Sequence, residues 1–339
     1  MIRPELDDEI GAQRVIGGIP RIKVIGVGGG GNNAVKQMIE DNLKNVEFYY
    51  LNTEMGVLNK INARNVLQIG KETTKGLGAG ANPEIGEKSA IESKEEIKNI
   101  LKGTDLLFIT AGMGGGTGTG AAPVVAEIAQ EMGIETIGIV TKPFAFEGNA
   151  RAAKARRGIE KLKQHVNSLI IVLNDNLLAI SDKKITINNA FKQADTVLEQ
   201  GIKSITDLIT TIGDVNVDFA DIRTILGYRG MAYMGIGKAA GEGRMIDAVK
   251  QAIENPLTEN KINNAKGVIF NVRGNSELEL SEIGDGLKII NDLVNEDANI
   301  IFGTLTDNTL TDEIVVTVIA TGVAPSLFAV NVTFTRTVP

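Results

Sequence analysis

With 339 residues, 43% of them apolar, the chain can bury a sizeable core and is long enough for two domains. Its formal charge of −7 argues against a nucleic-acid partner, because binding along a phosphate backbone needs a basic face. The lack of cysteine excludes a disulfide framework, a thiol nucleophile and a cysteine metal site, and a single histidine, His165, excludes chemistry built on histidine pairs.

The acidic opening has no apolar centre of the kind a secretory leader carries, so residues 1–20 are expected to be a flexible extension of a soluble, cytoplasmic chain. No run approaches the roughly 20 apolar residues of a membrane helix, and direct membrane insertion is not expected. Strand-like apolar runs follow at 22–27, 46–51, 66–69, 106–111, 136–140 and 169–173. Helical patterns lie between them at 34–39, 84–101, 123–132 and 150–163, with Pro123 expected in the first turn of its helix. This alternation predicts an α/β fold with a Rossmann-like parallel sheet covered on both faces. A long helical pattern then runs from 188 to 212, with apolar residues recurring at three and four positions. Beyond it, longer units at 230–238, 245–254, 265–272, 280–293, 300–302 and 313–319 predict a second, smaller α/β or α+β domain. The expected division is a nucleotide domain over 21–185, a central connecting helix over 186–213, a second domain over 214–322, and an atypical tail over 323–339.

Two glycine-rich loops each follow a strand and open into a helix. The first is Gly26-Val27-Gly28-Gly29-Gly30-Gly31-Asn32-Asn33, and the second is Gly114-Gly115-Gly116-Thr117-Gly118-Thr119-Gly120. In a parallel sheet both fall at the carboxyl edge, where helix N-termini and free N–H groups make an anion cradle. Gly28, Gly29, Gly115, Gly116 and Gly118 let the backbone approach phosphate, Thr117 and Thr119 offer hydroxyls, and Asn33 and Asn52 offer uncharged amides. The plainer reading is that these glycines only make tight strand–helix turns. The spacing of Gly26, Gly28 and Gly31 also fits a dinucleotide fingerprint, but the second strand ends at Asn52-Thr53 where that reading expects an acid. No Gly-x-x-x-x-Gly-Lys-Ser/Thr phosphate loop occurs.

The run Gly114–Gly120, together with Gly76-Leu77-Gly78-Ala79-Gly80-Ala81-Asn82-Pro83, Pro143-Phe144-Ala145-Phe146-Glu147-Gly148, Asn174-Asp175-Asn176 and Asn216-Val217-Asp218-Phe219-Ala220-Asp221, resembles the tubulin/FtsZ family. The likeness is to its prokaryotic cell-division branch and runs in register from about 22 to 322. It implies a tubulin-like GTPase that polymerises head to tail into protofilaments at the mid-cell division site, bound to GTP or GDP. It implies Mg2+ held mainly through the phosphates, and partners that tether filaments to the membrane or regulate division. It places Gly112, Gly114 and the loop residues Ala79, Gly80 and Ala81 at the nucleotide, the loop near the terminal phosphate. Glu147 and Arg151 fall on the ribose side; from pattern alone Arg151 is a solvated helix charge. Asn174, Phe191 and Asp195 form the base-reading set, in which an aromatic ring stacks on the purine and a carboxylate accepts from guanine's N1–H and N2–H. Phe191 otherwise reads as a core residue.

The acidic loop carries the mechanism. Asp218 reads as a helix N-cap and Asp221 as a first-turn acid, positions that favour carboxylates whatever else they do. Asp195 and Asn216 stand 21 positions apart, roughly 30 Å if helical. Asn216, Asp218 and Asp221 are therefore expected to act on a neighbouring subunit's nucleotide. A filament protein that binds GTP with little turnover is the alternative. The tail 323–339 matches neither the disordered linker nor the short partner-binding peptide that the resemblance implies.

Overall fold

The computed structural model describes residues 20–180, 186–211 and 217–323, with the side chains of 178–180 excepted. Asn216, residues 1–19 of the expected extension, and 324–339 of the expected tail lie outside the described residues. In chain order the elements of the first half are β1 Ile22–Val27, α1 Gly28–Glu40, β2 Val46–Asn52, α2 Met55–Leu58, β3 Val66–Gln68, α3 Lys71–Thr74, α4 Pro83–Glu92, α5 Lys94–Leu101, β4 Leu106–Gly112, α6 Thr117–Glu131, β5 Glu135–Lys142, α7 Asn149–Lys163, β6 Ser168–Leu173 and α8 Asn174–Ile180. The second half has α9 Ile187–Thr210, α10 Phe219–Leu226, β7 Gly230–Ala240, α11 Arg244–Ile253, β8 Gly267–Gly274, α12 Leu280–Asn291, β9 Asn299–Thr306 and β10 Glu313–Thr321.

Ten strands form one sheet in the order β3-β2-β1-β4-β5-β6-β7-β10-β8-β9. The pairs from β3 through β7 are parallel, as is β8 with β9, whereas β10 runs antiparallel to β7 and β8. The two halves of the chain thus share a sheet, joined where Ser168–Ile170 of β6 lie beside Gly230–Ala232 of β7. Along the central strands the faces alternate. Leu107, Ile109 and Ala111 pack with α4 to α7 on one side, and Leu106 and Phe108 pack with α1 and α9 on the other. Burial on both faces is why these strands read as continuous apolar runs.

The helix α9 spans 24 residues, about 36 Å, and buries Ala190, Ala194, Val197, Leu198, Ile202, Ile205 and Leu208 against the sheet. Thr186 caps it by accepting from the Asn189 amide at 3.3 Å. Two expectations need correction. The helix expected over 84–101 is broken at Ser93, whose hydroxyl turns aside to accept from the Gly70 amide at 3.1 Å. Pro123 lies inside α6 rather than in its first turn, because the helix begins six residues earlier at Thr117. The proline leaves the Thr119 carbonyl without its helical partner. That oxygen faces Gly158 of α7, where an added Cβ would lie 3.0 Å away.

Candidate functional site: a cavity between two glycine loops

Both glycine loops lie at the carboxyl ends of their strands, β1 and β4, which are hydrogen-bonded neighbours. Each helix begins within its loop, α1 at Gly28 and α6 at Thr117, and neither has a side-chain cap. The first N–H groups of two helices are thus left for a ligand, and both dipoles favour an anion there.

The glycines divide into two kinds. At Gly31 a Cβ would sit 2.3 Å from the Thr110 carbonyl oxygen, and at Gly28, whose φ is +73°, it would sit 2.7 Å from the Gly118 nitrogen. These positions press the loops together. At Gly29 and Gly115 nothing lies within 4 Å of an added Cβ. Those two line open space, where absence of a side chain leaves room for a ligand rather than for the protein.

The open space is a cavity of about 410 Å³. Of the residues expected at the nucleotide, Gly29, Asn52, Ala79, Gly80, Ala81, Gly112, Gly115, Gly116, Thr117, Gly118 and Arg151 line it. Asn52 is buried and its amide is engaged: its Nδ2 donates to Asn32 Oδ1 at 2.8 Å, and its Oδ1 accepts from the Glu54 amide at 3.2 Å. Its side chain braces the end of β2 rather than reaching freely into the cavity. Thr119 also departs from the expectation. Its hydroxyl is buried behind the loop and accepts from the Gly114 amide at 2.8 Å, fixing the turn. Gly28 and Gly114 stand behind the wall with it, and Asn33 is exposed on α1 away from the lining.

On the β5 side, Glu147 ends a 3-10 turn over Ala145–Glu147. One of its carboxylate oxygens accepts from the Phe144 amide at 2.9 Å and the other pairs with Arg151 at 3.0 Å. Arg151, half-exposed, is thereby held at the cavity rim. Phe144 stacks on Phe146 at 5.0 Å between ring centres and meets the edge of Phe191 at 5.2 Å. Phe191 is 39% exposed, so part of its ring is available for stacking. Asp195 follows it by one turn on α9, and burial raises its carboxyl from the ordinary 3.8 to about 7. Asn174 opens α8 and lines a neighbouring cavity of about 290 Å³ with Phe144 and Arg156. Its Oδ1 is buried without a hydrogen-bond partner.

Sequence reasoning missed Thr53, Glu54, Val57 and Leu77, all on the cavity wall. Thr53 Oγ1 and Thr117 Oγ1 lie 2.7 Å apart, joining the two sides. Glu54 is an acidic group on that wall. Its place just after β2 is the one hint in the sequence, and alone it does not set Glu54 apart from a surface charge.

Asp218 and Asp221 are exposed and belong to neither cavity. Asp218 caps α10, its Oδ1 accepting from the Asp221 amide at 2.8 Å. From Asp195 to the end of α9 at Thr210 the helix rises roughly 22 Å.

Residues 21–182 match the family described as Tubulin/FtsZ family, GTPase domain, and residues 230–324 match FtsZ family, C-terminal domain. An FtsZ dimer from M. jannaschii is 38% identical with a TM-score of 0.84, over 90% of this chain and 88% of that one. A mutant of M. jannaschii FtsZ is 39% identical at the same TM-score, over 90% and 92%. CetZ2 from Haloferax volcanii, in a GTPγS-bound protofilament, is 18% identical with a TM-score of 0.77 over 91% and 94%, a likeness of fold alone.

Proposed function

The chain belongs to the tubulin/FtsZ family of GTPases, and from that premise we propose that it polymerises head to tail into protofilaments of the cell-division ring, with hydrolysis completed between subunits. In this reading GTP lies with its phosphates under the two glycine loops, its ribose toward Glu147 and Arg151, and its base against Phe191 and Asn174. The Asp195 carboxylate, accepting from N1–H and N2–H, selects guanine over adenine, which lacks that pair of donors.

The observation that carries the proposal is the exposure of Asp218 and Asp221 at the far end of α9 from Phe191 and Asp195. Phosphoryl transfer depends mainly on positioning the attacking water and stabilising charge. Asp218 and Asp221 suit the first task but stand away from their own subunit's cavity. A second copy, stacked so that its α10 faces the cavity, would supply them, together with Asn216, which precedes them in sequence. Such a contact joins two different surfaces and propagates as an open filament.

Glu54, the acidic group on a wall that otherwise suits phosphate, would be the residue that helps hold a hydrated Mg2+. When bound, the ion would neutralise charge on the phosphoryl group. No group of three or more metal-ligating side chains occurs among the described residues. No helix among the described residues is long and apolar enough to cross a membrane. We place the protein in the cytoplasm at mid-cell, its filaments reaching the membrane through tethering and regulatory partners.

The test is GTP hydrolysis against protein concentration, with light scattering recorded in the same sample. A threshold above which turnover and scattering rise together is expected. Turnover proportional to protein from zero, without scattering, would mean a self-sufficient monomer.

A further inference from the structure

The loop that closes the cavity between α3 and α4 has a costly backbone. Lys75, Gly76, Gly78, Gly80 and Ala81 have φ of 50°, 78°, 85°, 57° and 58°. For Lys75 and Ala81 this crowds Cβ against the backbone, so contacts from outside the loop must hold it. Its first end is held locally. The Gly76 carbonyl accepts from the Met55 amide at 3.0 Å, and the Thr74 hydroxyl accepts from the Gly76 amide at 3.3 Å and donates to the Thr53 carbonyl at 3.1 Å. At its other end Asn82 caps α4 by accepting from the Glu84 amide at 3.0 Å. Between these ends the Ala81 carbonyl accepts from Lys154 Nζ of α7 at 2.6 Å.

That lysine projects from a fixed support. One turn before it lies Arg151 at the cavity rim, whose carbonyl oxygen is 2.9 Å from where a Cβ on Gly114 would be. One turn after it, Gly158 packs so closely on Thr119 that a Cβ would lie 2.5 Å from its methyl. The backbone of α7 therefore touches the second glycine loop on both sides of Lys154. The loop in turn touches the same structure, since a Cβ on Gly116 would lie 2.8 Å from Ala79 Cβ.

The strand order shows which part of a nucleotide the loop would meet. Leu77 bridges Glu54 just beyond β2, whereas Phe191 meets Phe144 just beyond β5. The glycine loops after β1 and β4 lie between them. A nucleotide with its base at Phe191 presents its last phosphate to the loop.

We propose that Lys154 is a positioning residue for the terminal phosphate, its ammonium latching the Ala81 carbonyl so that the backbone of 78–81 stays closed over that end of the cavity. The proposal rests on the GTP reading above and adds to it a residue that distinguishes GTP from GDP without belonging to either glycine loop. A latch on this loop matters for a ligand that reaches it and little for one that stops a phosphate short.

The experiment measures dissociation constants for GTP and GDP with nucleotide-free protein, in the wild type and in Lys154→Met, Lys154→Arg and Lys161→Met. Methionine keeps the stem without the donor, arginine restores a donor, and Lys161 is a control on the same helix that pairs with Glu87 at 2.7 Å. Lys154→Met is expected to weaken GTP about 5- to 20-fold, the usual effect of losing one charge-assisted bond, and GDP by no more than about twofold. Lys154→Arg should recover most of the GTP affinity, and Lys161→Met should change neither. An unchanged ratio of GTP to GDP affinity in Lys154→Met, at a melting temperature equal to the wild type's, would overturn the latch. Failure of the wild type to bind GTP would instead overturn the GTP reading itself.

Discussion

The two ends of α9 are built in opposite ways. At the β5 end the surroundings are dense. Gly28 and Gly31 leave no room for a methyl group, the Asn32 and Asn52 amides are joined to each other, and Asp195 is buried enough to hold a proton near neutrality. At the other end, Asp218 and Asp221 stand exposed on an ordinary helix cap and line neither of the two cavities described above. The first arrangement is built within one chain. The second makes chemical sense when another copy's cavity is set against it. In the shared-site proposal, close packing would mark the part of the site that one chain makes alone, and exposed chemistry at a distance the part it offers a neighbour.

The largest expected effect separates glycines that pack from glycines that face the ligand. Gly31→Ala drives a Cβ into a backbone oxygen and should cost about 3 kcal/mol or more, with nucleotide binding lost. Gly29→Ala meets nothing within 4 Å, so its melting temperature should stay near the wild type's while GTP binding weakens. Equal melting temperatures for the two variants would remove the distinction.

At the acidic end the charge can be separated from the cap. Asp218→Ser keeps a good N-cap, so stability should hold while GTP turnover falls on the order of 100-fold with GTP affinity intact. Asp218→Ala should lose the same turnover and about 1 kcal/mol of stability besides. Wild-type turnover from the serine variant would reduce Asp218 to a helix cap.

The buried end should reveal itself by base selectivity. Asp195→Ala is expected to cut the preference for GTP over ATP by about tenfold or more, measured by competition binding. Unchanged competition would move base reading elsewhere.

A smaller effect follows from the proton on Asp195. Burial raises its carboxyl from 3.8 to about 7, so between those values the folded state holds a proton that the unfolded chain has released. The stability from this group is present below about pH 4 and is lost as pH rises through 7. In the proposed base-reading role guanine would reverse the preference, because its N–H groups would donate to the carboxylate. GTP binding should therefore weaken about tenfold from pH 8 to pH 6, with a proton released on binding. Burial also raises Glu199 to about 7, aided by the facing Asp41, but neither residue lines the cavity. The Glu199 contribution should appear in the pH dependence of melting and be absent from that of binding. A flat binding profile in the wild type would contradict the assignment of Asp195.

Much of this was legible from spacing alone. The strands expected at 22–27 and 106–111 lie within a residue of β1 and β4, because burial on both faces leaves a continuous apolar run. The turn between α4 and α5 was not legible, since Ser93 breaks the helix through a bond to Gly70, distant in sequence. Both glycine-loop helices start earlier than their apolar pattern, because glycines carry no periodicity. In the candidate site, spacing placed the glycines but not the direction of neighbouring side chains. Thr117 faces the cavity and Thr119, two residues on, turns behind it. Glu54 went unread because a lone acid after a strand looks like any surface charge until the cavity forms beside it. The Asp218 cap was read directly, since the bond from Asp218 to the Asp221 amide is local.

The most direct test of a site shared between copies mixes two variants that each lack one end. Asp218→Ala keeps the guanine pocket and loses the acidic group, while Asp195→Asn keeps the acidic loop and presents amide N–H groups to guanine's own donors. Each alone should turn over GTP near background. An equal mixture should recover about a quarter of the wild-type rate per subunit, the share of head-to-tail pairs that set an intact acidic loop against a GTP-filled pocket. A mixture that gives only the sum of its two components would contradict the account.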